Sequence, residues 1–420
     1  MKNQLKIVIL LFIMNLPNFM KAQSVADSVE MKAGYAYDVY YSLKNGIVDT
    51  FYRSNWDIAF GIGRRTGSIL INEGKGIELY LYKGGDINDW ETADTVGIKT
   101  WPKLFNADSS WEWGAFNQNV APGDDFDQGW GIYNMISHNV EGDSIYFIKL
   151  GAADYRKIII VEENGFTNDY TIKFSNVDGS NEHQDVAYSD GLSRNFIYYS
   201  LNTKDTIDRE PVKSSWDLLF TKYAELTQGN YIVTGALQNI GCQVAEYHQQ
   251  GLDQETYNEF SSLEFQSNIS EIGYDWKFYD MGQGKWTISD TSVYFVKNLA
   301  GDIYKLYFTG FSGSSTGKAY FKKELIEPAS VHKIQANLNF SIYPIPAADQ
   351  ITFLYTGSNE KQSLMISDIS GKQIASYNLN HSNGTLLTQQ IDLSKLNPGL
   401  YFASICNGTY SITKKFIKTK

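Results

Sequence analysis

The apolar positions of this chain fall in short alternating runs rather than in long helical stripes. In Trp56-Asp57-Ile58-Ala59-Phe60 the large side chains take every second position, so a strand places Trp56, Ile58 and Phe60 on one face. Trp216, Leu218 and Phe220 repeat the arrangement. Asp57 and Asp217 are expected to accept backbone N–H bonds at the sheet edge. The run from Ser144, a turn holding Asp154, and a second run to Ile160 predict a hairpin. Ser292 to Phe308, with Asp302 in the turn, predicts another. Stretches rich in Ala, Glu, Lys and Leu are missing, and the expected fold class is all-β and antiparallel.

The pattern occurs twice. Residues 39–43 (VYYSL) return at 197–201 (IYYSL), and 54–60 (SNWDIAF) return at 214–220 (SSWDLLF). Residues 130–135 (WGIYNM) return at 276–281 (WKFYDM), and 144–160 return at 292–308. Four blocks in one order imply two homologous β units, over residues 30–185 and 186–327. A linker follows at 328–338, then a separate tail at 339–420.

The two ends carry addresses rather than chemistry. Residues 1–22 have Lys2 and Lys6, an apolar stretch from Ile7 to Met14, and Ala22 before Gln23. That is the pattern of a secretory signal peptide. The apolar run is too short for a membrane span, which needs about 20 residues. No cysteine near the cleavage point provides a lipid anchor, and no transmembrane helix is expected in the mature chain. In the tail, Ile342, Ile351, Phe353, Leu364, Ile366, Ile391 and Ile405 lie in short runs separated by turn signals such as Ser370-Gly371 and Pro398-Gly399. The spacing predicts a small sandwich of about six to eight strands.

Composition narrows the function. Aromatics make up 15% of the chain, and with 35 Gly they favour strands and tight turns. The net charge is −11, but three leader lysines and a tail of net +3 conceal a middle portion near −17. Such a surface repels phosphate backbones, which argues against a nucleic-acid partner. The two cysteines, Cys242 and Cys406, fall in different segments, so core burial rather than a disulfide framework must hold the fold.

Four tail stretches, FSIYPIPAADQITF (340–353), ISDISGKQI (366–374), IDLSKLNPGLYFASI (391–405) and KKFIK (414–418), resemble the type A C-terminal sorting domain of the type IX secretion system. Ile345 stands where that family usually has Asn, between Pro344 and Pro346. The resemblance implies Sec export followed by passage through the type IX outer-membrane translocon, and removal of the tail by a sortase-like enzyme. The expected location is secreted or on the cell surface.

The repeated blocks resemble the HmuY family of haem-binding proteins, whose signature is a Trp-Asp-[Ile/Leu]-x-Phe strand, a Trp-x-x-Tyr segment and an aromatic hairpin. The resemblance implies haem as cofactor and a host haemoprotein as its source. Haem needs axial ligands, usually His or Met, in an apolar cleft. His138 and Met135 follow Trp130-x-x-Tyr133, which makes them the first candidates; Met281 is the copy-two counterpart of Met135, and His248 lies in strand-like sequence. A non-catalytic adhesion module, or one binding glycan or protein, is the alternative reading. Trp90, Trp101, Trp111 and Trp113 allow it, since exposed Trp stacks on ligands, although core packing explains them as well.

Several enzymatic motifs are missing. HExxH, CxxC and P-loop patterns do not occur, and the glycines of GIGRRTG (61–67) are wrongly spaced for a dinucleotide loop. Asp124, Asp125 and Asp127, and Asp178 with Glu182, are oxygen-rich enough for Ca²⁺, but acidic loops are commonly only solvated. No enzyme activity is expected.

Overall fold

The computed structural model describes residues 24–63, 67–191, 193–227, 229–328, 340–356, 362–369, 371–379, 386–406 and 411–419. The leader at 1–22 and linker residues 329–338 lie outside the described residues. The chain divides into two compact units, 1–328 and 329–420. The described residues are all-β, with short 3₁₀ turns between strands.

In the first unit, copy one forms β1 (Val25–Glu30), β2 (Tyr37–Ser42), β3 (Gly46–Tyr52), β4 (Ile58–Gly61), β5 (Ile69–Ile71), β6 (Glu78–Leu81), β7 (Gly131–Tyr133), β8 (Val140–Gly142), β9 (Tyr146–Lys149), β10 (Tyr155–Glu163) and β11 (Tyr170–Asn176). Copy two answers strand for strand with β12 (His183–Ala187), β13 (Phe196–Ser200), β14 (Asp205–Ile207), β15 (Leu218–Glu225), β16 (Tyr231–Gln238), β17 (Gln243–His248), β18 (Lys277–Asp280), β19 (Lys285–Ile288), β20 (Ser292–Lys297), β21 (Ile303–Phe311) and β22 (Lys318–Glu327). The predicted hairpins are β9–β10 and β20–β21, with Lys149 opposite Tyr155 and Lys297 opposite Ile303.

The copies exchange their leading strands. β2 pairs with β15, setting Val39 opposite Phe220 and Tyr41 opposite Leu218. β13 pairs with β4 in the same register, Ile197 opposite Phe60 and Tyr199 opposite Ile58. β1 closes the sheet of β22, and β12 closes the sheet of β11. Each core is therefore built from both copies. The first joins Ile58, Phe60, Trp130, Tyr146 and Tyr170 to Ala187, Ile197, Tyr199 and Leu201. The second joins Leu218, Phe220, Trp276 and Phe308 to Val29, Met31, Val39, Tyr41 and Leu43. Fully burying an aliphatic or Phe side chain stabilises by about 1.5–3 kcal/mol, so neither core is complete without the other copy's strands.

The two aspartates bind these exchanged segments. Asp57 Oδ2 accepts the Leu201 N–H at 2.8 Å, and Asp217 Oδ2 accepts that of Leu43 at 2.7 Å. Their own N–H groups donate to the Tyr199 and Tyr41 carbonyls. The bonds run between copies, not to a free edge. They also bend the chain, so the expected common face of Trp56, Ile58 and Phe60 is corrected. Ile58 and Phe60 enter the first core, whereas Trp56 packs with Ala59 and Tyr198 on the other side. Trp216 likewise leaves Leu218 and Phe220 to pack on Tyr40 and Leu219.

Where the two copies cross lies a buried charge cluster. Asp38 accepts from Arg53 Nε at 2.9 Å, Arg209 at 2.5 Å and Thr221 Oγ1 at 2.6 Å. The Arg209 guanidinium also lies over the rings of Phe51, Trp56 and Tyr198. Tyr40 and Tyr198, equivalent residues of the two copies, share a hydroxyl contact at 3.3 Å. One copy alone, residues 24–176, lacks the partner's strands and is expected to show no cooperative melt as a monomer. A sharp thermal transition in that fragment, monomeric by light scattering, would contradict the exchange.

The second unit is the predicted sandwich. β23 (Phe340–Tyr343), β24 (Gln350–Thr356) and β27 (Leu386–Asp392) form one sheet; β25 (Ser363–Asp368), β26 (Gln373–Asn378), β28 (Gly399–Cys406) and β29 (Ser411–Lys418) form the other. Ile351, Phe353, Leu364, Ile366, Ile391, Ile405 and Phe416 fill its core.

Candidate functional site

The β7–β8 hairpin of copy one carries the strongest candidate. Trp130, just before β7, is fully buried and donates its Nε1–H to the Gly67 carbonyl at 2.7 Å, which fixes the base of the hairpin. The Asn134 side chain accepts from the Ile136 and Ser137 N–H groups and shapes the turn. The His138 N–H then closes it on the Asn134 carbonyl at 2.8 Å.

His138 occupies the left-handed backbone region, with φ 62°. The equivalent residue of the β18–β19 hairpin is Gly284, with φ 63° and the same closing bond, to Asp280. Copy two therefore uses the residue this geometry favours. Copy one holds a histidine there at a cost of about 1 kcal/mol, as copy two holds Lys204, with φ 56°, at the turn position of Gly46. A Cβ on Gly165 would sit 1.8 Å from the His138 carbonyl oxygen, so only glycine lets the neighbouring loop pass.

The Tyr133 hydroxyl meets His138 Nδ1 at 2.8 Å, leaving Nε2 as the second ring nitrogen. Tyr133 stacks on Phe126 with centroids 6.2 Å apart, and His138 meets Phe166 edge-on at 5.7 Å. Asp125, Phe126, Gln128, Tyr133, Met135, His138 and Val140 line a recess of about 500 Å³. Around it stand exposed apolar side chains: Ile136 is 94% exposed, Phe166 74% and Met135 67%. On β10, Glu163 lies opposite Val140, and burial pushes its carboxyl up to about 7.

His138 and Met135 thus share one recess, which Met281 and His248 do not line. Met281 is 85% exposed at the tip of the β18–β19 hairpin. His248 is the last residue of β17, its Nδ1 3.0 Å from Ser292 Oγ and 3.3 Å from Thr291 Oγ1. Phe126 and Phe166 were not singled out by sequence pattern. A large aromatic inside the acidic loop Asp124-Asp125-Phe126-Asp127 was the available signal.

The acidic loops are occupied with their own folding. Asp124 caps the Phe126 N–H, and Asp127 accepts from Ala121 and Gly129. Asp178 accepts from Ser180, and Glu182 from Trp90 Nε1. Among the described residues, no group of three or more His, Cys, Asp or Glu is placed to hold a metal ion. Of the four tryptophans, Trp90 is buried. Trp111 reaches copy two, donating Nε1–H to the Gln238 carbonyl at 2.8 Å. Trp101 packs beside Tyr82 and Phe147. Trp113 is exposed and lines a second recess with Glu112, Asp124, Asp125 and Asp127.

Comparison with known proteins identifies the tail. The family described as the secretion system C-terminal sorting domain matches residues 341–419. The chain is exported by type IX secretion, interacts with that machinery, and is a secreted or cell-surface protein. Among the described residues no helix is long and apolar enough to cross a membrane. No curated protein matches the chain. Among solved structures it is similar to PorZ, a surface component of the type IX secretion system of Porphyromonas gingivalis, at 9% identity and a TM-score of 0.17. The match covers 66% of this chain and 44% of that one, and a TM-score so low carries no argument.

Proposed function

We propose that the exported body is a non-catalytic binding module that takes up haem at the β7–β8 hairpin, with His138 as an axial ligand. The observation that carries the reading is His138 in a left-handed turn position that copy two gives to Gly284, with Nδ1 already engaged by Tyr133. A ligating histidine commonly has its second nitrogen held in this way. The residues fit one metal-bound imidazole: Nε2 is the unengaged nitrogen, Met135 provides a thioether in the same recess, and Phe126 and Tyr133 provide aromatic wall. Bound haem would supply the iron that imidazole and thioether ligate. Copy two has no histidine at this hairpin, so one haem per chain is expected. At the cell surface the tail is removed within residues 328–338 by a sortase-like enzyme, and a host haemoprotein is the haem source.

Titration with hemin tests this. The full chain is expected to give a Soret shift saturating at one equivalent. His138→Gly, which reproduces the copy-two turn, is expected to melt slightly higher, by about 1 kcal/mol, because the left-handed strain is gone. It is also expected to bind hemin at least about tenfold more weakly. No spectral change at micromolar hemin would remove the proposal. The exposed Ile136 and Phe166 favour the second reading, adhesion to a protein or glycan partner. Binding lost in Phe166→Ser but kept in His138→Gly would select it.

A further inference from the structure

The long segment between β17 and β18 folds onto the outer face of the β17–β20–β21 sheet. Tyr257, Phe260 and Leu263 pack there against Val293, Phe295 and Tyr307. Beneath this cover lies Lys305 of β21, with no exposed surface. Its Nζ has three polar neighbours: the Glu255 carbonyl at 2.8 Å, Asn258 Oδ1 at 2.8 Å and Glu324 Oε2 at 3.1 Å. Glu324 is held there by register, since β22 sets it directly opposite Lys305.

The geometry points to an intramolecular isopeptide bond between Lys305 Nζ and Asn258 Cγ. A buried amine, a carboxamide at hydrogen-bond distance and a carboxylate beside the amine are the groups that this acyl transfer needs. The amine is shut off from water, and the fold holds the half-buried Asn258 and Glu324 against it, which is where the effective concentration of an intramolecular reaction comes from. Glu324 takes one proton from the Lys305 ammonium, and the freed lone pair forms the N–C bond to Asn258 Cγ. The C–N bond to the side-chain nitrogen breaks, and the proton held by Glu324 passes to that nitrogen. The surplus proton of the new amide follows, ammonium leaves, and Glu324 is again a carboxylate. Nothing is oxidised or reduced. The product pins the covering segment to the sheet.

Copy one contains its own control. Lys157 is the equivalent lysine, opposite Phe147 as Lys305 is opposite Phe295. It is buried too, but its Nζ donates to the Trp90 carbonyl, a backbone acceptor with no leaving group.

Mass spectrometry of the purified full chain tests the bond. The expected result is one branched peptide joining the segment of Asn258 to that of Lys305, lighter by one ammonia molecule, with Lys157 unmodified. The branched peptide is the required readout, because cyclisation of Gln23 at a processed N-terminus loses the same mass. Glu324→Gln keeps both reacting groups and removes the proton carrier, so its two peptides are expected unlinked. Recovery of the wild-type peptides unlinked overturns the bond. Full linkage in Glu324→Gln overturns the role of Glu324.

Discussion

Deleting residues 329–420 is expected to hold the protein inside the cell envelope while the rest of the chain still folds. The deleted unit matches a secretion sorting domain over 341–419 and forms a compact body with its own core. Both cores of the remaining body lie between Val29 and Phe321. Immunoblots of surface and medium fractions are expected to fall to background, with the protein recovered from the periplasm and melting cooperatively. A point change separates folding of the tail from its presence. Phe416 is fully buried, and Phe416→Ala is expected to cost about 3–5 kcal/mol. That approaches the whole stability of a small domain, about 5 kcal/mol at the lower end, so delivery should drop sharply even at full length. Unchanged delivery of the truncated chain would remove the tail from the export account.

Asp38→Ala is expected to destabilise the body more than any other single polar change, by about 3–5 kcal/mol. Asp38 is the shared counter-charge of Arg53 and Arg209, and all three side chains are at most 5% exposed. Removing it leaves two buried guanidiniums facing each other, and each has already given up its hydration. Thr221→Val removes one hydroxyl bond to the same carboxylate and is expected to cost only about 1 kcal/mol. Because the cluster lies where the copies cross, both cores should be lost in one transition. Chemical denaturation followed by Trp fluorescence measures this. Two separated transitions, or a cost near that of Thr221→Val, would show that the ion cluster does not couple the copies.

The duplication and the tail were legible because both leave aligned blocks at fixed spacing. The exchange was not, for a physical reason. Tyr41 meets Leu218, but Ile58 would offer it an equivalent apolar partner at the same register. Pairing within a copy and pairing between copies therefore bury the same residue types. Only the bends at Asp57 and Asp217 distinguish them, and a strand pattern read at period two passes straight over a bend. At the candidate site, Trp130, Tyr133, Met135 and His138 were visible because they lie within nine residues. Phe126 lines the recess and Phe166 meets the His138 ring from other loops, and apart from the acidic loop around Phe126 no local pattern announces that meeting. The recognition of Gly284 as the counterpart of His138 needed backbone angles, since the identities of the two residues suggest nothing in common.

The pairing of β1 with β22 sets a clock. Val25 finds Lys323 only after nearly the whole body has been made, so the opening strand waits for the closing one. A chain that emerges from its amino end leaves that edge unfilled for most of the body's length, whereas the first aspartate lock has its partner as soon as Leu201 has been made. The strand that fills that edge ends at Glu327, just ahead in sequence of the sorting segment.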